Sequence, residues 1–395
     1  MMTQALNPVA PTEPDSGAPA RSELAARLQS LDALRGLTIA LMILVNTSGD
    51  GAHTYRLLRH SPWNGCTLAD VVFPCFLFMV GISLVLSLGG KLRRGTSRPI
   101  LIRQALRRTV ILFAIGIAIN GFPWFHLETL RVFGVLQRIA ICFFLATLVY
   151  LGLRPRAIFW LTLAILLGYW LLLRWVPVPG YGVPGVNVPF LDPHGNLPAW
   201  LDRHLLPASH LYHQGFYDPE GLLGSISALA STLIGVLTAF SLQAPASATA
   251  KTKRLLLAGI FCLLTGLAWS HWLPLNKRLW TSSFVLFNAG VSLLALAMFL
   301  WWLDVQRKGT RLALPMIAFG TNALAAYAFS EFLASFLSSV KAPGSVHTLQ
   351  QTLFVPFAAF IPNPYIAALA YAVLYVAVCF VPVLLLFRRR IFLKV

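Results

Sequence analysis

The sequence predicts an all-α, polytopic transmembrane helical bundle of about ten spans, with both termini cytoplasmic. Three observations carry this expectation. Hydrophobic residues make up 57% of the 395 residues and charged residues only 11%, against about 25% charged in soluble domains. Apolar runs long enough to cross roughly 30 Å of hydrocarbon recur along the chain. Backbone in lipid must satisfy its hydrogen bonds internally, so these runs should be helices. Finally, the basic residues are divided unevenly between alternate connecting segments.

The first thirty residues are polar and rich in Pro, Ala and Ser. They lack the apolar core of a signal peptide and read as a disordered cytoplasmic tail; residues 31–395 form the membrane domain. Apolar runs follow at about 31–45, 68–88, 110–122, 133–152 and 157–173, then at 223–242, 255–272, 282–303, 312–337 and 365–387. The first and third are short and should extend into flanking polar turns. One set of connecting segments, including the stretch from Lys91 to Arg108 and the tail from Arg388 to Lys394, holds 21 Lys and Arg; the opposite set holds 8. The basic side faces the cytoplasm, and both termini on that side require an even number of spans. The same placement disposes of a nucleic-acid partner despite a formal charge of +18, because the charge sits in short blocks between apolar runs; membrane lipid is the expected surroundings.

The loop at about 175–221 is then extracytoplasmic. It is rich in Pro and Gly and carries His194, His204, His210 and His213. A loop of that length is expected to form a lid or a binding surface. No HExxH or CxxC spacing accompanies the histidines, and none of the five cysteines forms a CxxC pair, so no metal site is expected.

Ionisable and amide groups inside spans are costly and point to function. Asp32 and Arg35 open the first run and Asn46 closes it. Asp70 begins the second, Gln137 and Arg138 lie near the start of the fourth, Asn288 is in the eighth, and Asn322 and Glu331 are in the ninth. Each has a plainer reading: a local ion pair for Asp32 and Arg35, a capping box for Thr67 and Asp70, an interhelical hydrogen bond for Asn322. Asn46, His60, Asp70, Gln137 and Arg138 nevertheless fall near one membrane face. His60 lies in the loop joining the first two runs, in RLLRHSPWNGCTLAD. Imidazole works as base, acid or nucleophile near neutrality, and a carboxylate ten residues on can hold its second nitrogen.

The blocks SLDALRGLTIALMILVN and HSPWNGCTLADVVFPCFLFMVGISL, followed in order by FGVLQRIAICFFLA, YDPEGLLGSISALASTLIG, NKRLWTSSFVLFNAG and GTNALAAY, resemble the heparan-alpha-glucosaminide N-acetyltransferase family, itself related to integral membrane acyltransferases. A bacterial member in the inner (plasma) membrane is the expectation. The resemblance implies a multi-pass enzyme that takes acetyl-CoA as co-substrate from the cytoplasm and acetylates an amino-sugar or glycan acceptor at or across the membrane. It places the active histidine of an H-x-x-W-N-G block on His60, with Trp63 and Asn64 in that block, and neighbouring polar residues on Asn46 and Asp70. The chemistry then assigns His60 as acetyl acceptor or general base and Asp70 as its orienting partner. Asn46 and Asn322 become oxyanion donors, and Arg138 and Arg35 pore-lining charges. A homodimer is among the expected partners. Two other classes stay open at this point: a permease for a small solute, which leaves the HSPWNG loop unexplained, and an O-acyltransferase for a lipid or cell-wall sugar.

Overall fold

Long stretches of Leu, Ile, Val, Ala and Phe broken by Pro, Gly and Asn at their ends dictate the architecture. The computed structural model describes residues 29–393, apart from the side chain of Thr310; the tail expected over residues 1–30 lies almost wholly outside them. The thirteen α-helices among the described residues are α1 (Gln29–Asn46), α2 (Leu68–Arg93), α3 (Arg98–Gly121), α4 (Val135–Gly152), α5 (Pro155–Trp175), α6 (Leu197–Leu205), α7 (Leu222–Gln243), α8 (Ala248–Trp269), α9 (Ser282–Phe299), α10 (Thr310–Thr321), α11 (Ala323–Ser339), α12 (Leu349–Phe360) and α13 (Pro364–Arg388). Pro opens α5 and α13 at the first turn, where its missing N–H costs nothing.

The protein is a polytopic helical membrane bundle. Among the described residues seven helices are long and apolar enough to span: α2, α4, α5, α7, α8, α9 with its continuation to Val305, and α13. The run expected at 312–337 is not one helix. It breaks at Asn322 into α10 and α11, bent by 73°, and counts as an eighth span only if the bent pair crosses as a unit. The runs expected at 31–45 and 110–122 sit inside α1 and α3. Those helices are less apolar because Asp32 and Arg35 occupy α1 and four arginines occupy the first half of α3. The twelve-residue α12 has no buried residue and falls between the runs expected at 312–337 and 365–387.

Close backbone contact holds the centre together. A Cβ on Gly81 of α2 would lie 2.0 Å from the Thr232 carbonyl oxygen of α7, and one on Gly235 would lie 2.0 Å from that of Phe78. Small residues let membrane helices approach this way when apolar packing offers no advantage over lipid. The α2, α7 and α9 stretches are largely buried, while α5, α8 and α13 turn most of their surface outward, as lipid-facing helices do.

Contacts between loops sort the helix ends. The loop between α1 and α2 meets the segment between α8 and α9 through Gly65 N–H donating to Leu275 O (2.7 Å). It meets the 176–221 loop through Trp63 Nε1 donating to Leu191 O (2.7 Å). That loop in turn meets the α3–α4 connection through Arg131, which pairs with Asp218 and Glu220. The α2–α3 turn, with Lys91 bound to Gln104 (2.6 Å), closes the other end of α2. A reporter placed after Val395 is expected to read cytoplasmic and one inserted near Asn196 extracytoplasmic, following the basic asymmetry; both on one side would overturn this orientation.

Candidate active site

The α1–α2 loop is shaped by its own sequence. Gly65 adopts φ +116°, a conformation that side chains disfavour, and turns the chain into α2. Thr67 caps that helix in a capping box with Asp70. Asp70 is fully buried, and its Oδ2 accepts from Ser61 N (3.0 Å), Thr67 N (3.1 Å) and Thr67 Oγ1 (3.1 Å). Its Oδ1 lies 2.9 Å from His60 Nδ1. The capping and orienting readings of Asp70 therefore describe one side chain using two oxygens. A carboxylate so surrounded by donors accepts only, so Nδ1 carries the proton and Nε2 presents its lone pair.

Sequence reasoning counted Lys277 only as a loop cation. The structure brings its Nζ to 3.1 Å from His60 Nδ1, 3.4 Å from Nε2 and 3.6 Å from Asp70 Oδ1. Nearly equal distances to both ring nitrogens put the ammonium beside the ring. A partner on the Nε2 lone pair would stand about 5 Å from Nδ1. Lys277 thus leaves Nε2 open, and the His60 side chain is 40% exposed. Burial pushes the Lys277 pKa below that of an ordinary lysine, and Asp70 and Glu220 pull it back.

A rigid turn presents Lys277. Asn276 Oδ1 accepts from Leu279 N (2.9 Å), and Asn276 N donates to Thr281 Oγ1 (3.0 Å). Trp280, fully buried, holds φ +53°, a rare conformation for a bulky residue; its ring is wedged edge-on between Phe73 and Phe284. Asn276 Nδ2 donates to Asn64 Oδ1 (3.1 Å), and the Trp63 ring stands edge-on to Tyr217 at 5.4 Å. Trp63 and Asn64 therefore tie the histidine loop to the lysine turn and to the long loop. The four loop histidines are dispersed among separate partners: Phe216, Trp200, the Leu130 carbonyl and Tyr212. Among the described residues no three His, Cys, Asp or Glu side chains stand together as a metal site.

The remaining expected site residues are engaged elsewhere. Asn46, exposed at the end of α1, donates to Glu331 Oε1 (3.4 Å). Arg138 is buried over the Trp280 ring at 4.9 Å and donates to Gly221 O (3.1 Å) and Ser225 Oγ (3.3 Å), which seats α4 on α7. Arg35 binds Asp32 (2.9 Å), Ser83 (2.7 Å) and the carbonyl of Gly320 (3.2 Å). Asn322 donates to Ile391 O (3.1 Å) and accepts from Leu393 N (2.9 Å). It lies nine residues before Glu331 on the chain, about 13 Å along the helix. The break after α10 frees backbone groups, and Asn322 uses its amide there to pin the C-terminal segment.

A family model described as heparan-alpha-glucosaminide N-acetyltransferase, catalytic, matches residues 27–187. The Mus musculus heparan-alpha-glucosaminide N-acetyltransferase is 30% identical over 368 residues, covering 80% of this chain and 55% of the mouse protein. The Homo sapiens protein of the same name is 30% identical over 370 residues, with 80% and 54% covered. The chain belongs to the heparan-alpha-glucosaminide N-acetyltransferase family. It spans about half the length of the curated relatives it matches. The stretch matched by the family model holds His60, Asp70 and Asn46, whereas Lys277 and Glu331 lie beyond it.

Proposed function

We propose that this family member is a membrane acetyltransferase that moves acetyl from acetyl-CoA to the amine of an amino sugar or glycan, with His60 Nε2 as the reacting nitrogen. The observation that carries this reading is the trio of His60, Asp70 and Lys277, with Nε2 facing outward at the end of the bundle opposite the Lys91–Arg108 basic block. The names of the relatives, which specify N-acetylation of a glucosaminide, support the acceptor class. A permease reading leaves the HSPWNG loop unexplained.

The chemistry follows from the geometry. Asp70 fixes the Nδ1–H tautomer and stabilises the positive charge that develops as Nε2 takes an acetyl group or a proton. Lys277, beside the ring, offers an N–H to the carbonyl oxygen as it becomes an oxyanion, a task the sequence had given to Asn46 and Asn322. Acetyl-CoA approaches from the basic end, and the acceptor arrives where the long loop packs on Trp63.

Purified protein incubated with radiolabelled acetyl-CoA and a panel of amino sugars, hydroxyl-only sugars and lipids is expected to form labelled amides with amino sugars. Label in esters alone would transfer the reading to O-acylation, and no label in any acceptor would return it to transport. Lys277→Met is expected to lower kcat about 100-fold, the scale of one lost oxyanion donor, with little change in KM for acetyl-CoA. Steady-state kinetics showing an unchanged kcat would remove Lys277 from the chemistry.

A further inference from the structure

Helix α6, inside the long loop, carries a carboxylate that the chemistry of the trio does not use. Asp202 is fully buried. Its Oδ2 accepts from Asp218 N (2.9 Å), and no group among the described residues donates to its Oδ1. The carboxyl end lies against the backbone where the loop enters α7: a Cβ on Gly221 would stand 2.4 Å from Oδ1 and 2.6 Å from Oδ2. Only glycine at that position lets α6 sit there.

The charged and titratable groups facing Asp202 are Arg138 from α4, Tyr169 from α5, Asp218 from the loop and Arg203 from α6 itself. Neither arginine donates to it. Arg138 is committed to Gly221 O and Ser225 Oγ, and its Nη1 meets no acceptor among the described residues. Arg203 donates to Phe216 O and His194 O, both at 3.0 Å. A helix N-terminus favours an anion, but the one amide that Asp202 receives comes from Asp218, outside α7. A carboxylate with an oxygen shut away from both water and donors is costly. Burial pushes the Asp202 carboxyl up to about 7, with the Asp218 charge adding to the rise and the Asp218 amide and the arginines opposing it.

The seat of α6 bears on the trio from two sides. Asp218 follows Tyr217, whose ring stands edge-on to Trp63, three residues after His60. Gly221 is held by Arg138, which lies over Trp280 in the turn that presents Lys277.

We infer that Asp202 is a proton-operated latch: with its proton it holds α6 and the 176–221 loop closed against the start of α7, and without it the loop is released. The proton resides on Oδ1, which leaves Oδ2 to accept from Asp218 N. Losing it places a negative charge against Gly221 with one donor only, and that charge regains water when α6 lifts. A carboxyl whose pKa is raised in the closed state stabilises that state fully below the ordinary carboxylate range. The stabilisation is lost as pH rises through about 7.

The test is amide hydrogen exchange on the full chain in nanodiscs from pH 6 to 9, each rate divided by the intrinsic rate at that pH. It reads the loop directly and does not depend on acetyl transfer. Protection of residues 197–205 and of the Asp218 amide is expected to fall about tenfold per pH unit above neutrality, while the buried α9 keeps its protection. Asp202→Asn still offers an oxygen to Asp218 N and never ionises, so its protection is expected to stay high and flat. His204→Gln removes the ring stacked on Trp200 at 4.0 Å and is expected to follow wild type. Protection that is flat or rises with pH in wild type would overturn the latch. So would an equal fall in Asp202→Asn, low protection of that variant at every pH, or loss of the pH dependence in His204→Gln.

Discussion

Purified His60→Ala is expected to lose acetyl transfer by at least the 100- to 10,000-fold that acid–base assistance supplies, while still inserting in the membrane and binding acetyl-CoA. His60 is 40% exposed on a loop, so truncating it removes little packing. What disappears is the Nε2 lone pair, the nitrogen that the proposed mechanism brings to the acetyl carbon. A second His–Asp pair supplies the control. His53 Nδ1 lies 2.7 Å from Asp50, three residues away, with its ring edge-on to Tyr365 at 5.5 Å. Asp50 is 31% exposed where Asp70 is 1% exposed, and the ion pairs found for the two carboxylates place a lysine only at Asp70. Kinetics on His53→Ala should therefore stay near wild type. Loss of transfer from His53→Ala, with His60→Ala active, would move the chemistry to the other pair.

Asp70→Asn should cost turnover nearly as much, on the order of 1,000- to 10,000-fold, and the hydrogen bonds explain why. Oδ2 receives three donors, two of them backbone N–H groups, so the amide oxygen of Asn must occupy that position. Its NH2 group then faces His60 Nδ1, where a carboxylate oxygen had been. Two donors cannot share that contact, so the imidazole moves its proton to Nε2 and the lone pair needed for catalysis turns inward. The capping bonds survive, and thermal unfolding should shift little. If Asp70 only capped α2, the variant would instead lose stability while each folded molecule kept its turnover.

The bundle was legible because its signal is additive: each long apolar run was enough to place a helix. The break at Asn322 was not, since a single amide inside GTNALAAY looks the same in a straight helix as at a bend. The His60–Asp70 pair could be read because both partners lie ten residues apart in one loop and helix start. Lys277 could not, because its partner is 217 residues away in sequence. Lys277 registered only as a charge in a loop count. Arg35, Arg138 and Asn322 show the converse. Polar groups within apolar runs were sound signs of constraint, and the bonds these three make hold a helix start, a helix–helix seat and a pinned tail, each satisfying backbone or side-chain groups that lipid cannot.

The most direct measurement is a stoichiometric one on purified wild-type protein, with labelled acetyl-CoA and glucosamine, following free CoA thiol and labelled N-acetylglucosamine together. Transfer at the His60 site predicts one amide formed for each thiol released, with both signals lost in His60→Ala. Thiol release without amide, or amide formation that persists in His60→Ala, would contradict it.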